Sequence, residues 1–294
     1  MRVANLFEKK HGKPVISFEF SRPKTEKAAA NLEKALDKLV EAKPDYVSVT
    51  FGAGGSTREG SFELVDKLKN ERGLPTVAYL AGVGLGPEDL TTCLGKFKDM
   101  GIETIFAIRG DPPTWDENYK PHPEALNYAS DLIGFIKGCA DFCLGAAVYP
   151  EGHIEAESLE KDLEYDRLKQ DKGAEYIVAQ YFYDNQYFFD FMDKARAAGI
   201  SVPIVPGIMP IYTVKLMENL AKVCGATITQ PIRDGLAKLP PDDKKAVVQF
   251  GIDFSTEQCR GLLEHGVAGL HFYTMNRSKS VCAILETLRG EGLL

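Results

Sequence analysis

Residues 15–24 read VISFEFSRPK. The side chains of a strand alternate between two faces. Over residues 15–20, Ile16, Phe18 and Phe20 therefore share one face, and Val15, Ser17 and Glu19 share the other. The first face is wholly apolar, and the second ends in a carboxylate. That arrangement suits a barrel strand whose outside packs on helices and whose inside opens on a site. Glu19 has a plainer alternative as an ion-pair partner of Arg22 or Lys24.

Outward from this stretch, short apolar strands alternate with longer amphipathic segments. Strands are predicted at 46–50, 76–80, 104–108, 143–149, 176–180, 203–206 and 269–272. Helices are predicted near 27–42, 60–72, 87–100, 125–139, 158–172, 186–198, 213–223, 241–265 and 278–288. In the first of these, Leu32, Leu36, Leu39 and Val40 recur at helical spacing. Parallel strands need crossovers, so strand-then-helix units argue for parallel pairing. Eight such units predict a (β/α)8 TIM barrel, one domain over residues 1–294. A doubly wound open sheet is the runner-up, but no glycine-rich dinucleotide fingerprint follows an early strand. The longest connections are 110–124, rich in proline, and 224–243.

The formal charge of −7 argues against general nucleic-acid binding. No apolar run approaches the roughly 20 residues that span a bilayer. Residues 1–13 are charged and lack the apolar centre of a signal peptide, so a cytoplasmic protein off the membrane is expected. The six cysteines are scattered, as expected of reduced thiols. Cys139 and Cys143 lack a second close pair, and no metal site is predicted.

In such a barrel the active site lies at the C-terminal strand ends. Here those ends carry Glu19; Thr50 running into FGAGGSTR; AYLAGVG; AIRGDPP; AAVYPEGH; AQYFYDN; VPGIMP; and HFYTMNRS. One polar strand end would mean little, but these form a ring. Each group also has a structural explanation. Arg109 and Asp111 could pair across a turn made by Gly110. Gly54 and Gly55 could be only a flexible turn. His153 could cap the next helix, Tyr181, Phe182 and Tyr183 could be core, and Lys169 could be a solvated helix residue. The aromatics at 187–191 fit helix packing.

Taken together and in order, ISFEF, DYVSVTFGAGGSTR, AIRGDPP, AAVYPEGH, VPGIMPI and HFYTMNRS resemble the methylenetetrahydrofolate reductases, over residues 14–288. The resemblance implies a flavin enzyme on a (β/α)8 barrel, with the length of the bacterial form that lacks the regulatory domain of animal enzymes. It implies FAD, reduced by NADH or NADPH, passing hydride to 5,10-methylenetetrahydrofolate to give 5-methyltetrahydrofolate. By the same resemblance Glu19 is the general acid toward N10 of the folate. Burial in the barrel mouth would keep such an acid protonated. Asp111 resembles the aspartate near the flavin pyrimidine edge and the pterin, and Gln180 the glutamine that binds folate. Thr50, Arg109, Gly110, Asp111, Tyr128, Ala129, Tyr149, His153, Asp162, Lys169 and Tyr273 match positions that line FAD, with Lys169 and His153 toward its diphosphate or ribose. Asp162 and Lys169 lie two turns apart, on one helix face.

The chain departs from the family pattern at three places. Tyr79–Leu80–Ala81 stands where His-Leu-Thr is frequent. Ser21–Arg22–Pro23 stands where a phenylalanine and paired prolines are frequent. Val214, with Tyr212 two residues earlier, stands where an aromatic helps hold nicotinamide or folate. The electron source is therefore open between a nicotinamide and a donor protein. Other classes remain in view: a non-catalytic flavin- or folate-binding subunit of a complex, and a Schiff-base aldolase, whose nearest lysines, Lys24 and Lys169, lie outside the strands. A homo-oligomer is expected from the resemblance, serving methionine biosynthesis or an anaerobic one-carbon pathway.

Overall fold

The computed structural model describes residues 1–52, 55–112 and 119–294, with side chains given for all of these except 55–57. Gly54 of the glycine pair and most of the proline-rich tip lie outside the described residues. Nine parallel strands form one nearly closed barrel, ordered β7-β6-β5-β4-β3-β2-β1-β9-β8. The strands are β1 Val15–Phe20, β2 Tyr46–Val49, β3 Thr76–Ala81, β4 Thr104–Ile108, β5 Cys143–Val148, β6 Tyr176–Ala179, β7 Ile204–Val205, β8 Gly207–Ile208 and β9 Gly269–Tyr273. The seventh predicted strand is thus split at Pro206. Proline has no N–H for a ladder, so β7 pairs only with β6, and β8 only with β9.

Among the described residues eleven α-helices accompany the strands: α1 Ala4–Lys9, α2 Glu26–Glu41, α3 Gly55–Asp66, α4 Pro87–Asp99, α5 Ala129–Cys139, α6 Leu159–Asp171, α7 Asn185–Ala197, α8 Val214–Cys224, α9 Gln230–Ala237, α10 Lys244–Glu264 and α11 Lys279–Gly290. Polar caps start several of them. Thr25 accepts from the Ala28 N–H at 3.1 Å, and Asp243 accepts from the N–H groups of Lys245 and Ala246. Such caps contribute about 1 kcal/mol each. The helices α1 and α9 are absent from the sequence prediction, both being short and lying in stretches read as the N-terminus and a long connection.

The alternation in β1 divides two cores. Ile16, Phe18 and Phe20 belong to the outer core with Leu32, Leu36 and Leu39 of α2. Phe18 packs edge-on against Phe272 at 6.1 Å, and truncating such a ring to alanine costs about 3–5 kcal/mol. Val15 instead joins Tyr46, Val77, Tyr79, Phe106, Tyr176 and Val178 inside the barrel. Val3, Leu6 and Phe7 pack onto that inner cluster, and the Val3 N–H donates to Thr104 Oγ1 at 3.1 Å. The N-terminal segment thereby covers the floor, and the cavity described below lies at the other end. Among the described residues no helix is long and apolar enough to cross a membrane.

Candidate active site

A cavity of about 610 Å³ occupies that open end. Glu19 lines it from the last inward position of β1, opposite Ser48 on one side and Tyr273 on the other. Its side chain is 17% exposed, and Oε2 lies 4.0 Å from His271 Nε2. Below, His271 Nδ1 and Ser17 Oγ share a 2.7 Å hydrogen bond. Tyr79 and Tyr273 flank the carboxyl. Burial pushes both phenols well above their ordinary pKa, and the Glu19 charge adds to the rise. Glu19 makes no ion pair with Lys24 or Arg22, and the Arg22 stem lies instead over Gly60 of α3. The carboxyl thus sits among the rings of Tyr79, Tyr273 and His271.

Arg109, Gly110 and Asp111 form the turn after β4, and all three line the cavity. Gly110 has φ +78°, and a Cβ there would stand 2.9 Å from both Ala81 Cβ and Val83 Cγ1. The Val83 N–H donates to the Arg109 carbonyl at 2.8 Å, fixing the turn from the β3 side. Arg109 pairs with Asp111 at 3.5 Å and with Glu155, which it holds below the usual carboxylate range. The simple turn pairing is therefore present, and the same residues face the cavity. The Asp111 side chain remains 85% exposed at its rim.

On α6, Asp162, Tyr165 and Lys169 present one face to the cavity. Asp162 Oδ2 accepts from the His153 N–H at 2.7 Å. His153 Nδ1 accepts from the Glu155 N–H at 3.1 Å, and its ring stands edge-on to Tyr149 at 4.6 Å. His153 thus organises its own loop, and Ser158 caps α6. Lys169 is not a solvated helix residue. It is 14% exposed, and its ammonium donates to the Ala147 carbonyl at 2.8 Å and to Asp166 Oδ1 at 2.7 Å. Burial pushes the Asp166 carboxyl up to about 6, with Asp162 adding to the rise and Lys169 opposing it.

Tyr128, Ala129 and Ser130 bring the start of α5 to the cavity. Tyr128 stacks on Tyr165 with centroids 6.0 Å apart. Gln180 follows β6, its Oε1 accepting from the Tyr181 N–H at 3.0 Å. Every predicted site residue except Thr50 lines this one cavity. Thr50 follows β2, its N–H donating to the Phe20 carbonyl at 2.9 Å. The aromatics after β6 divide: Tyr181 lines the cavity, while Phe182 stacks on Phe188 in the outer core. Sequence reasoning missed Tyr165, Cys224, Met209 and Met275 as lining residues. Tyr165 alone had a usable signal, three residues after Asp162 on the same face.

Lys169, Arg109 and the N-terminus of α5 are the positive groups along one wall, beside the carboxylates of Glu155 and Asp162. The Tyr181 hydroxyl is buried in the cavity wall beside the Cys224 thiol. Among the described residues no cluster of His, Cys, Asp and Glu could hold a metal.

A family model described as methylenetetrahydrofolate reductase matches residues 3–289. Methylenetetrahydrofolate reductase 1 of Schizosaccharomyces pombe is 36% identical over 279 residues, covering 94% of this chain and 46% of that protein. Methylenetetrahydrofolate reductase (NADH) 1 of Arabidopsis thaliana is 36% identical over 288 residues, covering 94% and 48%. The chain thus spans about half the length of these relatives. The 5,10-methylenetetrahydrofolate reductase of Escherichia coli is 34% identical over 276 residues, covering 93% of this chain and 90% of that enzyme. Among solved structures, a Clostridium thermocellum protein described as binding two copies of 5-methyl-5,6,7,8-tetrahydrofolic acid shares the fold. Its TM-score is 0.67 at 15% identity, covering 98% of this chain and 100% of that one. With the family model matching nearly its whole length, the chain belongs to the methylenetetrahydrofolate reductase family.

Proposed function

We propose that the chain, acting as one barrel domain, reduces 5,10-methylenetetrahydrofolate to 5-methyltetrahydrofolate with FAD, itself reduced by NADH or NADPH. The observation that carries this is the convergence of Glu19, Asp111 and Gln180 on a cavity that also holds nearly all the residues expected around a flavin. Lys169, Arg109, Tyr128, Ala129, Tyr149, His153, Asp162 and Tyr273 would hold FAD along its wall, with Thr50 beside the mouth. The bound flavin supplies two-electron hydride transfer.

Glu19 donates a proton toward N10 of the folate, opening the methylene bridge to a 5-iminium cation. Its place at the last inward position of β1 sets it in the cavity, between Tyr79 and Tyr273. Asp111, at the rim, accepts hydrogen bonds from the pterin and favours the cation electrostatically. Gln180 orients the pterin. A cytoplasmic homo-oligomer feeding methionine biosynthesis is the setting we infer. Anaerobic titration of the yellow protein with each nicotinamide, followed by addition of the folate, tests the scheme. Flavin that is bleached by NADH or NADPH and reoxidised by the folate supports it, and a colourless protein sinks it.

One observation favours a second electron source. Val214 is aliphatic, and Tyr212 is 4% exposed and packs under Arg277 instead of lining the cavity. No aromatic from that turn backs a nicotinamide, so a donor protein is the alternative if neither nicotinamide bleaches the flavin.

A further inference from the structure

Tyr79 stands at the first of the three places where the chain departs from the family pattern, a position where histidine is frequent. The strand register sets where it lies. Glu19 of β1 is paired with Ser48 of β2, and Ser48 with Val77 of β3. Val77 and Tyr79 both belong to the inner cluster, so Tyr79 is the next inward residue on β3, one step nearer the mouth. Its ring is held in place. It pairs across the ladder with Phe106 of β4 and stacks on it, with centroids 4.5 Å apart and planes at 25°. Tyr79 and Glu19 line the same cavity.

Three rings surround the Glu19 carboxyl, and two of them are engaged elsewhere. The Tyr273 hydroxyl donates to the Ala179 carbonyl at 3.3 Å. His271 is tied through Nδ1 to Ser17, and its Nε2 stays 4.0 Å from Oε2 of Glu19. The Tyr79 hydroxyl is within hydrogen-bonding reach of the Glu19 carboxyl and has no other partner among the described residues. Burial, with the Glu19 charge adding to it, keeps the proton on this phenol. The phenol is therefore the donor and the carboxyl the acceptor.

We propose that Tyr79 is the positioning residue of the Glu19 acid: its phenol donates to one carboxyl oxygen and leaves the other facing the cavity for the substrate. This deepens the folate reading above and rests on it. A phenol gives a carboxylate a charge-assisted hydrogen bond, stronger than the one it gives a neutral carboxylic acid. The contact strengthens as Glu19 passes its proton toward N10. An interaction that gains along the reaction raises the rate more than the affinity. A histidine at this position would titrate near neutral pH. The buried phenol instead gives the acid a donor whose charge stays constant.

The test compares wild type, Tyr79→Phe, Glu19→Gln and the double variant, all as the full chain. Tyr79→Phe keeps the ring on Phe106 and removes the hydroxyl alone, and melting curves check folding. The first readout is infrared. Wild type minus Glu19→Gln isolates the Glu19 carboxyl band, and Tyr79→Phe minus the double variant isolates the same band without the phenol. The band should be displaced between the two, and an unmoved band overturns the proposal. The second readout is stopped flow starting from dithionite-reduced flavin. Folate reduction should slow about tenfold in Tyr79→Phe, the loss expected for one hydrogen bond made in the transition state, with folate affinity unchanged. In the Glu19→Gln background the same substitution should cost less than about threefold, because its partner is already gone. An equal loss in both backgrounds, or weaker folate binding at an unchanged rate, overturns the positioning role. The infrared readout needs no folate. A wild type that reduces none refutes the proposed reaction, while the band still decides whether Tyr79 holds Glu19.

Discussion

The Lys169 ammonium meets the Asp166 carboxylate at 2.7 Å inside the barrel wall, where Asp166 is 1% exposed and, among the described residues, its Oδ2 has no hydrogen-bond partner. This lysine reaches the cavity with its charge already directed by a buried acid.

The pair makes stability depend on pH. The native Asp166 pKa, pushed up to about 6, lies above its ordinary value of 3.8. Its contribution is therefore fully present below the ordinary value and is lost as pH rises through about 6, about 3 kcal/mol in all. Asp166→Asn removes that titration while Lys169 stays charged. The melting temperature of wild type relative to the variant should rise by about 4 °C from neutral pH to about pH 5. An opposite trend would show that burial does not govern this carboxyl.

Glu19→Gln keeps the shape of the cavity and removes the acid. The variant should bind FAD and accept electrons normally, while folate reduction falls by roughly 10²–10⁴. Stopped-flow measurement of the two half-reactions checks this, and undiminished folate turnover would refute the acid role.

Asp111→Asn removes a negative charge from the rim. The flavin should become easier to reduce by a few tens of millivolts, where about 30 mV is 1.4 kcal/mol for a two-electron couple. The shift is modest because the side chain is 85% exposed and screened. Redox titration with a reference dye reads it, and an unchanged or lower potential counts against the placement.

Gly110→Ala forces a side chain onto a φ of +78° and against Ala81 and Val83. It should cost about 1–2 kcal/mol and displace Arg109 and Asp111 together. Thermal melting together with weakened FAD retention is the expected signature. A variant as stable and as yellow as wild type would contradict the turn geometry.

Much of this was legible in the chain because it is written locally. The period-two pattern of Ile16, Phe18 and Phe20 against Ser17 and Glu19 announces the two barrel faces. The polar strand ends converge because a parallel barrel brings all C-terminal ends to one mouth. The spacing of Asp162 and Lys169 places both on one helix face. What stayed hidden depends on distance in sequence or on context. Nothing local distinguishes the pinned Lys169 from a solvated lysine, since its partners are the Ala147 carbonyl and a buried acid. Pro206 was visible, but not that it would divide one strand between two neighbours.

The helix beneath the barrel has a kinetic corollary. With Val3, Leu6 and Phe7 packed onto the inner cluster from below, the proposed flavin and both of its reaction partners would share the cavity at the other end. Under the proposed reaction, reductant and oxidant must take turns. Steady-state plots at several fixed concentrations should then run parallel, each substrate in excess obstructing the other.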